Sequence, residues 1–163
     1  MKIRGYFGPF GAPYVPVKLK RSDSDKELIV PFIVDSGAVW SMVGTKVIYD
    51  LGVSIHELRK SVGTAVGFGG RSQFYFLKDV ELTLETDQGP HTEVLPQIMT
   101  PFGPYTGVHR KRAHVKSIMG RDILDRYALI LDKRSGLVLL TDEELTGRRS
   151  LEEMPDEPAV EEA

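Results

Sequence analysis

The chain has 163 residues, a formal net charge of −2 and no cysteine. This length suits one domain with a substantial core, and the lack of cysteine excludes disulfides, thiolate nucleophiles and cysteine-based zinc sites. The nearly balanced charge gives no general attraction to nucleic acid or to an anionic membrane. We expect a soluble, cytoplasmic protein, because Gly and Pro interrupt residues 1–15 before a signal-like apolar core could form.

The first half of the chain predicts β-structure around one short helix. Residues 14–20 and 28–34 are rich in β-forming residues, and the polar segment between them predicts a hairpin. Residues 45–52 combine a capping Thr, spaced apolar positions and a final Gly, which favours a short helix. Residues 63–76 place glycines at the centre of a second hairpin, which continues into the alternating residues 79–86.

The second half continues the same pattern. Residues 92–99 predict a strand, and the Pro-, Gly- and Arg/Lys-rich residues 101–114 predict an inserted loop. Residues 115–120 predict another strand, and residues 121–128 a short helix. A final hairpin is predicted for residues 129–140, with Ser-Gly at its turn. Many short strands with two brief helices predict an all-β barrel.

The composition changes from Thr141 onward. Acidic residues dominate there, and hydrophobic residues become sparse. Such a segment offers too little apolar surface to offset the entropy of ordering it. We therefore expect one domain over residues 1–141 and an acidic, disordered tail over residues 142–163.

The segment "PFIVDSGAVW", residues 31–40, carries an apolar strand directly into Asp35. An ionised carboxylate is costly to bury without partners. Two interpretations are open at this point. Asp35, Ser36 and Gly37 form an ordinary turn at a strand end, which turn composition alone favours, or the strand delivers Asp35 to a semi-buried site suited to chemistry.

Three segments follow one another in a characteristic order: "FIVDSGAVWSMV", a glycine-centred hairpin and "SIMGRDILDRYALILD". Over residues 14–140 the chain thereby resembles the retropepsin-like aspartic proteases, as a cellular or prokaryotic member. In that family an apolar-Asp-Thr/Ser-Gly-Ala segment precedes a flap, and an apolar-Gly-Arg-Asp/Asn segment opens the single helix. The resemblance implies a closed β-barrel with a flap hairpin and one or two short helices, completed as a homodimer.

The resemblance also implies an aspartic endopeptidase whose catalytic residue is Asp35. Hydrolysis of a peptide without a metal or covalent intermediate needs one carboxylate as base and a second, protonated one as acid. Two adjacent carboxylates can share one proton in this way. Because Asp-Ser-Gly occurs once in the sequence, the second Asp35 must come from another copy, in a two-fold homodimer.

The neighbours of Asp35 have implied supporting roles. Ser36 takes the family's grip role, in which its hydroxyl bonds to the backbone of the partner copy. Gly37 has no side chain, so its backbone N–H can reach a carboxylate. Ala38 lacks the hydroxyl that would favour the ionised form, so we expect an activity optimum in mildly acidic to neutral solution.

The glycine-centred hairpin is implied to be the flap that closes over a peptide or protein substrate. An ordinary hairpin turn is the alternative, and nucleotide binding is not expected because no Gly-Lys-Ser/Thr follows. The flap residues are Val66, Gly67, Phe68, Gly69 and Gly70.

In the second motif, the resemblance gives Gly120 and Arg121 a supporting role near the active site or the dimer interface. Asp122 receives no catalytic role, because it could equally cap the helix that follows. We expect no cofactor and no metal, because His109 and His114 lie too far apart for a helical metal pair and have no further ligands nearby.

Two features depart from the viral pattern or lie outside it. Val39 and Trp40 stand where viral members carry acidic residues; we expect Trp40 in the core, with an apolar subsite as the alternative. The basic residues 109–114, "HRKRAH", predict a solvated loop. The alternatives are a contact with an acidic partner, with nucleic acid or with the chain's own acidic tail, although a nucleic-acid partner is not expected.

A second functional class stays open. A catalytically silent retropepsin-like module could bind extended peptides or serve only to dimerise, because a fold does not guarantee a function. The intact Asp35, Ser36 and Gly37 favour the enzyme.

Overall fold

A computed structural model describes residues 1–67, 70–101 and 115–143. Its strands are β1 (Lys2–Phe7), β2 (Pro13–Arg21), β3 (Glu27–Val34), β4 (Arg59–Gly67), β5 (Gly70–Thr86), β6 (Gly89–Thr100), β7 (Ser117–Met119), β8 (Ala128–Asp132) and β9 (Leu137–Thr141). Its α-helices are α1 (Thr45–Leu51) and α2 (Arg121–Leu124), and short 3₁₀ helices cover Pro9–Gly11 and Ile55–Glu57. The all-β fold class is confirmed.

All these strands belong to one sheet. The main order is β7-β3-β2-β5-β1-β9-β8, and β4 and β6 also pair with β5. The three predicted hairpins are present as β2–β3, β4–β5 and β8–β9. Strands β1, β2 and β5 each pair with the other two, so the sheet closes on itself there. The short strand β7 runs parallel to β3.

The core follows the alternation of the strands. In β2, Val15, Val17 and Leu19 are almost fully buried, and in β3 Phe32 and Val34 lie in the same core. Side chains two apart in a strand share one face, and burying each such aliphatic or aromatic side chain contributes roughly 1.5–3 kcal/mol. The end of β3 is therefore fixed against the core up to the residue before Asp35.

Helix α1 has the predicted position but a different start. Its N-cap is Gly44, and Thr45 makes no cap hydrogen bond, so the expected Thr cap is wrong. Instead, the buried Thr45 hydroxyl donates to the carbonyl of Pro101, 3.2 Å away. A Cβ on Gly44 would lie 2.1 Å from the carbonyl oxygen of Val115, so only glycine fits there. At the other end, Gly52 closes the helix in the left-handed conformation.

Strand β1 was not predicted from the sequence, because Gly and Pro follow it closely. It pairs with β9 over four residues and buries Ile3. The amine of Met1 lies 2.7 Å from the carboxylate of Asp142, and Lys2 lies 3.1 Å from Glu143. The first two residues of the predicted tail thus contact the start of β1.

The other expectations for the tail and for the inserted loop lie outside the described residues, since 102–114 and 144–163 are not described. Within the described ranges, no helix is long and apolar enough to cross a bilayer. The same ranges hold no group of three or more His, Asp or Glu side chains placed to bind a metal ion.

Candidate active site

Asp35 emerges where β3 ends beside β7. The parallel pairing places Val34 opposite Met119, and the Asp35 N–H donates to the Met119 carbonyl at 3.1 Å. The Asp35 side chain is half-buried. Pairing between two distant parts of the chain therefore fixes the backbone that carries this carboxylate.

The residues after Asp35 form a tight turn. The Ala38 N–H donates to the Asp35 carbonyl at 3.1 Å, and the Gly37 N–H donates to Asp35 Oδ1 at 2.9 Å. A Cβ on Gly37 would lie 3.1 Å from that same oxygen, so glycine permits the close approach. Ser36 is exposed at the tip of the turn. The segment is thus a turn whose backbone also donates to the carboxylate.

A hydrogen-bonded network holds the loop that follows the turn. The hydroxyl of Ser41, a residue only 1% exposed, donates to Asp122 Oδ1 at 2.6 Å and accepts from the Gly120 N–H at 2.9 Å. The Ser41 N–H also donates to Asp122 Oδ1, at 2.9 Å. Asp122 lies in the first turn of α2, where it makes no cap hydrogen bond. Its carboxylate instead ties α2 to the Asp35 loop.

The backbone of residues 120–122 contacts the same loop. The Arg121 N–H donates to the Ala38 carbonyl at 2.9 Å, and the Asp122 N–H donates to the Val39 carbonyl at 3.2 Å. A Cβ on Gly120 would lie 2.7 Å from the carbonyl carbon of Trp40, so this position requires glycine. The Arg121 side chain is exposed, and it forms no ion pair within the described ranges.

Trp40 does not lie in the core. Its side chain is 63% exposed, and Val39 beside it is 49% exposed, so the core expectation is wrong. The backbone of Trp40 packs on Gly120, and the next residue, Ser41, occupies the buried position of the loop. The indole is therefore left on the outer surface, close in sequence to Asp35.

The predicted flap is only partly described. The backbones of β4 and β5 pair through Val66 with Arg71 and Gly67 with Gly70. Phe68 and Gly69 lie outside the described residues. A glycine-centred hairpin therefore stands where the sequence predicts it.

Sequence analysis missed a second cluster, which is centred on Glu93 of β6. Glu93 is 8% exposed, and it accepts hydrogen bonds from Tyr127 at 2.8 Å and from Arg126, with His91 Nε2 3.2 Å away. Burial raises the pKa of Glu93, but the Tyr127 and His91 hydrogen bonds and the charge of Arg126 outweigh it and lower that pKa overall. Burial and the neighbouring Glu93 raise the pKa of Tyr127. The only sequence signal was an acidic residue at an inward position of an alternating strand.

Comparison with known proteins gives solved structures alone. No family model and no curated protein matches the chain. A retropepsin-like aspartic protease from Rickettsia conorii is similar with a TM-score of 0.55 and 15% identity, over 86% of this chain and 89% of that one. EIAV protease complexed with the inhibitor HBY-793 is similar with a TM-score of 0.47 and 17% identity, over 77% of this chain and 98% of that one. The Rickettsia match shows that the chain has the retropepsin-like aspartic protease fold.

Proposed function

We propose that the chain is an aspartic endopeptidase, active as a homodimer, that hydrolyses extended peptides. One observation carries this proposal: the half-buried Asp35 carboxylate stands on a turn that β7 and α2 hold in place. In the described residues, that carboxylate accepts only the Gly37 N–H. Its remaining acceptor capacity is available to water, substrate or a second carboxylate.

The second catalytic carboxylate belongs to a second copy. Hydrolysis by activated water needs a base, which takes a proton from the water, and an acid, which donates one to the carbonyl oxygen. The sequence contains only one Asp-Ser-Gly segment, so one chain supplies only one of the two carboxylates. A two-fold axis beside Asp35 brings two identical carboxylates together without any further residue. Ser36 is exposed at the same turn, which supports the proposed grip role of its hydroxyl between the copies.

The two carboxylates divide the chemistry. The ionised Asp35 takes a proton from a water molecule bound between the copies, and the water oxygen forms a bond to the peptide carbonyl carbon. The protonated Asp35 donates its proton to the carbonyl oxygen, which gives a neutral tetrahedral intermediate. Return of a proton to the amide nitrogen breaks the C–N bond and releases an amine and a carboxylic acid. The Gly37 N–H stabilises the ionised carboxylate at each stage.

The proposed substrate class rests on the exposed side chains of the loop that follows Asp35. Val39 and Trp40 expose large apolar side chains there, whereas a charged surface would favour acidic or basic side chains. We therefore assign to this site extended peptides with apolar side chains flanking the cleaved bond.

The test is incubation of the protein with a peptide library in mildly acidic to neutral solution, with and without a statine-containing transition-state inhibitor. The proposal predicts cleavage next to apolar residues and its loss when the inhibitor is added. Peptide binding without cleavage would instead establish the catalytically silent module. If the protein neither cleaves nor binds the peptides, both the endopeptidase and the silent peptide-binding module are contradicted.

A further inference from the structure

Phe10 stands out among the exposed residues. It lies in the turn between β1 and β2 and is fully exposed to solvent. Its backbone has φ 59° and ψ 15°, in the left-handed region, which a bulky side chain rarely occupies. Strain of this kind persists only where the surroundings impose it, and it is concentrated at functional positions.

The turn that carries Phe10 is tied at several points. The Gly8 N–H donates to the Ala12 carbonyl at 2.9 Å, and the Gly11 N–H donates to the Gly8 carbonyl at 3.1 Å. A Cβ on Gly8 would lie 2.6 Å from the Tyr14 ring, so the backbone of the turn packs directly on an aromatic side chain. The ring of Phe10 is therefore held outward by an ordered turn.

The turn lies at the same end of the sheet as Asp35. Tyr14 at the start of β2 pairs with Ile33 near the end of β3, and Asp35 follows two residues after Ile33. Neighbouring strands are about 4.8 Å apart, so the β1–β2 turn begins roughly one strand spacing from the strand that delivers Asp35.

In the proposed dimer, this end of the sheet would face the second copy. A two-fold axis beside Asp35 brings the whole of this end of the sheet toward its equivalent in the other copy. Phe10 is covered by none of the described residues of its own chain, and Val39 and Trp40 are uncovered at the same end. Three large apolar side chains are thus exposed where the dimer would exclude water.

We propose that Phe10 of each copy packs beside Val39 and Trp40 of the other copy, so that the three apolar side chains together line the substrate site of that copy. The inference rests on the proposed homodimer. The contact occurs twice in a symmetric dimer, and aromatic side chains buried at the centre of interfaces carry a large share of binding energy. It also gives the strained Phe10 backbone a function, because the observed conformation holds the ring in solvent.

The test compares Phe10→Ala with the matched control Ile29→Ala by sedimentation equilibrium. Ile29 is 72% exposed in the part of β3 farthest from Asp35, where it pairs with Lys18. We expect Phe10→Ala to raise the dimer dissociation constant by roughly a hundredfold or more, because two anchors are lost. We expect Ile29→Ala to leave that constant within about threefold of wild type. At concentrations where the protein is monomeric, both variants should have the same thermal unfolding midpoint as wild type, since neither side chain is buried.

A disulfide cross-linking experiment tests which residues are in contact between the copies. The chain contains no cysteine, so the introduced thiols have no native competitors. Copies carrying Phe10→Cys are mixed with copies carrying Val39→Cys and oxidised. The inference predicts a disulfide-linked heterodimer, and the pair Ile29→Cys with Val39→Cys should give none.

The outcomes separate this inference from the proposed function. A wild-type dimer that Phe10→Ala does not weaken would overturn the inference and leave the homodimeric protease intact. An unchanged dissociation constant with a raised KM would assign Phe10 to substrate, which overturns the inference as well. A wild-type protein that stays monomeric and still cleaves peptides would overturn the homodimer itself.

Discussion

Asp35 and Glu93 are both carboxylates beside the core, but their surroundings differ. Glu93 is 8% exposed and contacts the side chains of Tyr127, Arg126 and His91. Asp35 is half-buried, and in the described part of the chain its carboxylate accepts only the Gly37 N–H. The loop that carries Asp35 is nevertheless tied to the fold, because backbone and Ser41 hydrogen bonds hold it to β7 and α2.

The difference distinguishes a structural carboxylate from an available one. A carboxylate whose acceptor sites are filled within its own chain stabilises the fold and has little capacity for a ligand. A carboxylate held by a rigid backbone but left with free acceptor sites is preorganised for an external partner. By this criterion Glu93 stabilises the fold, whereas Asp35 is available for the proposed catalysis. A variant of Glu93 should therefore change mainly stability, and a variant of Asp35 mainly activity.

Asp35→Asn should change activity more than any other variant. The amide keeps the shape of the side chain but cannot take or give the proton, so peptide hydrolysis should fall by at least about 10³-fold. The free energy of unfolding should stay within about 0.5 kcal/mol of wild type, because the side chain is not part of the core. Peptide cleavage and urea unfolding of the same preparation check both expectations. Retained cleavage would remove Asp35 from the mechanism.

Glu93→Ala should show the opposite pattern. It removes the acceptor of the half-buried Tyr127 hydroxyl and the partner of Arg126, and we expect a loss of about 2–3 kcal/mol of stability. Cleavage by the folded fraction should be nearly unchanged. If the variant is as stable as wild type in urea unfolding, Glu93 does not stabilise the fold as its contacts indicate.

Ser41→Ala tests whether stability and peptide cleavage are linked through the loop that follows Asp35. The variant removes the hydroxyl bond to Asp122, which keeps only the backbone N–H of residue 41, and leaves the buried Gly120 N–H without its acceptor; this should cost about 1–2 kcal/mol. It should also lower kcat, since the loop after Asp35 loses an anchor. The control is Ser24→Ala, where an exposed hydroxyl accepts from the Lys26 N–H. Equal losses of stability in the two variants would show that the buried network has no special role.

The smallest expected effect concerns an exposed carboxylate. The hydrogen bonds from Arg21 and from Ser54 lower the pKa of Glu57 from 4.5 to about 2. The folded state therefore favours the ionised form, and this stabilisation is present above pH 4.5 and lost as the pH falls toward about 2. Glu57→Gln should reduce the fall in unfolding free energy over that interval relative to wild type. Identical pH profiles for the two proteins would contradict the assignment.

The sequence predicted the features that depend on local pattern. Alternation between β-forming and polar residues located β2, β3 and the later hairpins, and Gly52 marked the end of α1. The turn at Asp35 was recognisable because Asp, Ser and Gly are turn residues and because the motif order resembles a known family. Each of these signals lies within a few residues of the feature that it predicts.

The features that were missed depend on contacts between distant residues. Ser41 bonds to Asp122, 81 positions away, and Glu93 bonds to Tyr127, 34 positions away. No local pattern reports such pairs. Trp40 was expected in the core because large aromatics usually pack there, but its exposure depends on how Gly120 approaches its backbone. The capping role left open for Asp122 likewise failed because Ser41 occupies its carboxylate.

In the proposed mechanism, Asp35 works only as one half of a pair on a two-fold axis, and mixing of subunits tests this directly. Wild-type and Asp35→Asn chains are unfolded together in equal amounts, refolded and allowed to pair at random, and peptide cleavage is compared with the same total concentration of wild type. We expect about a quarter of the activity, since only dimers with two intact aspartates cleave and their share is the square of the wild-type fraction. A fall to about half would mean that each chain holds a complete site, and it would contradict the shared dyad.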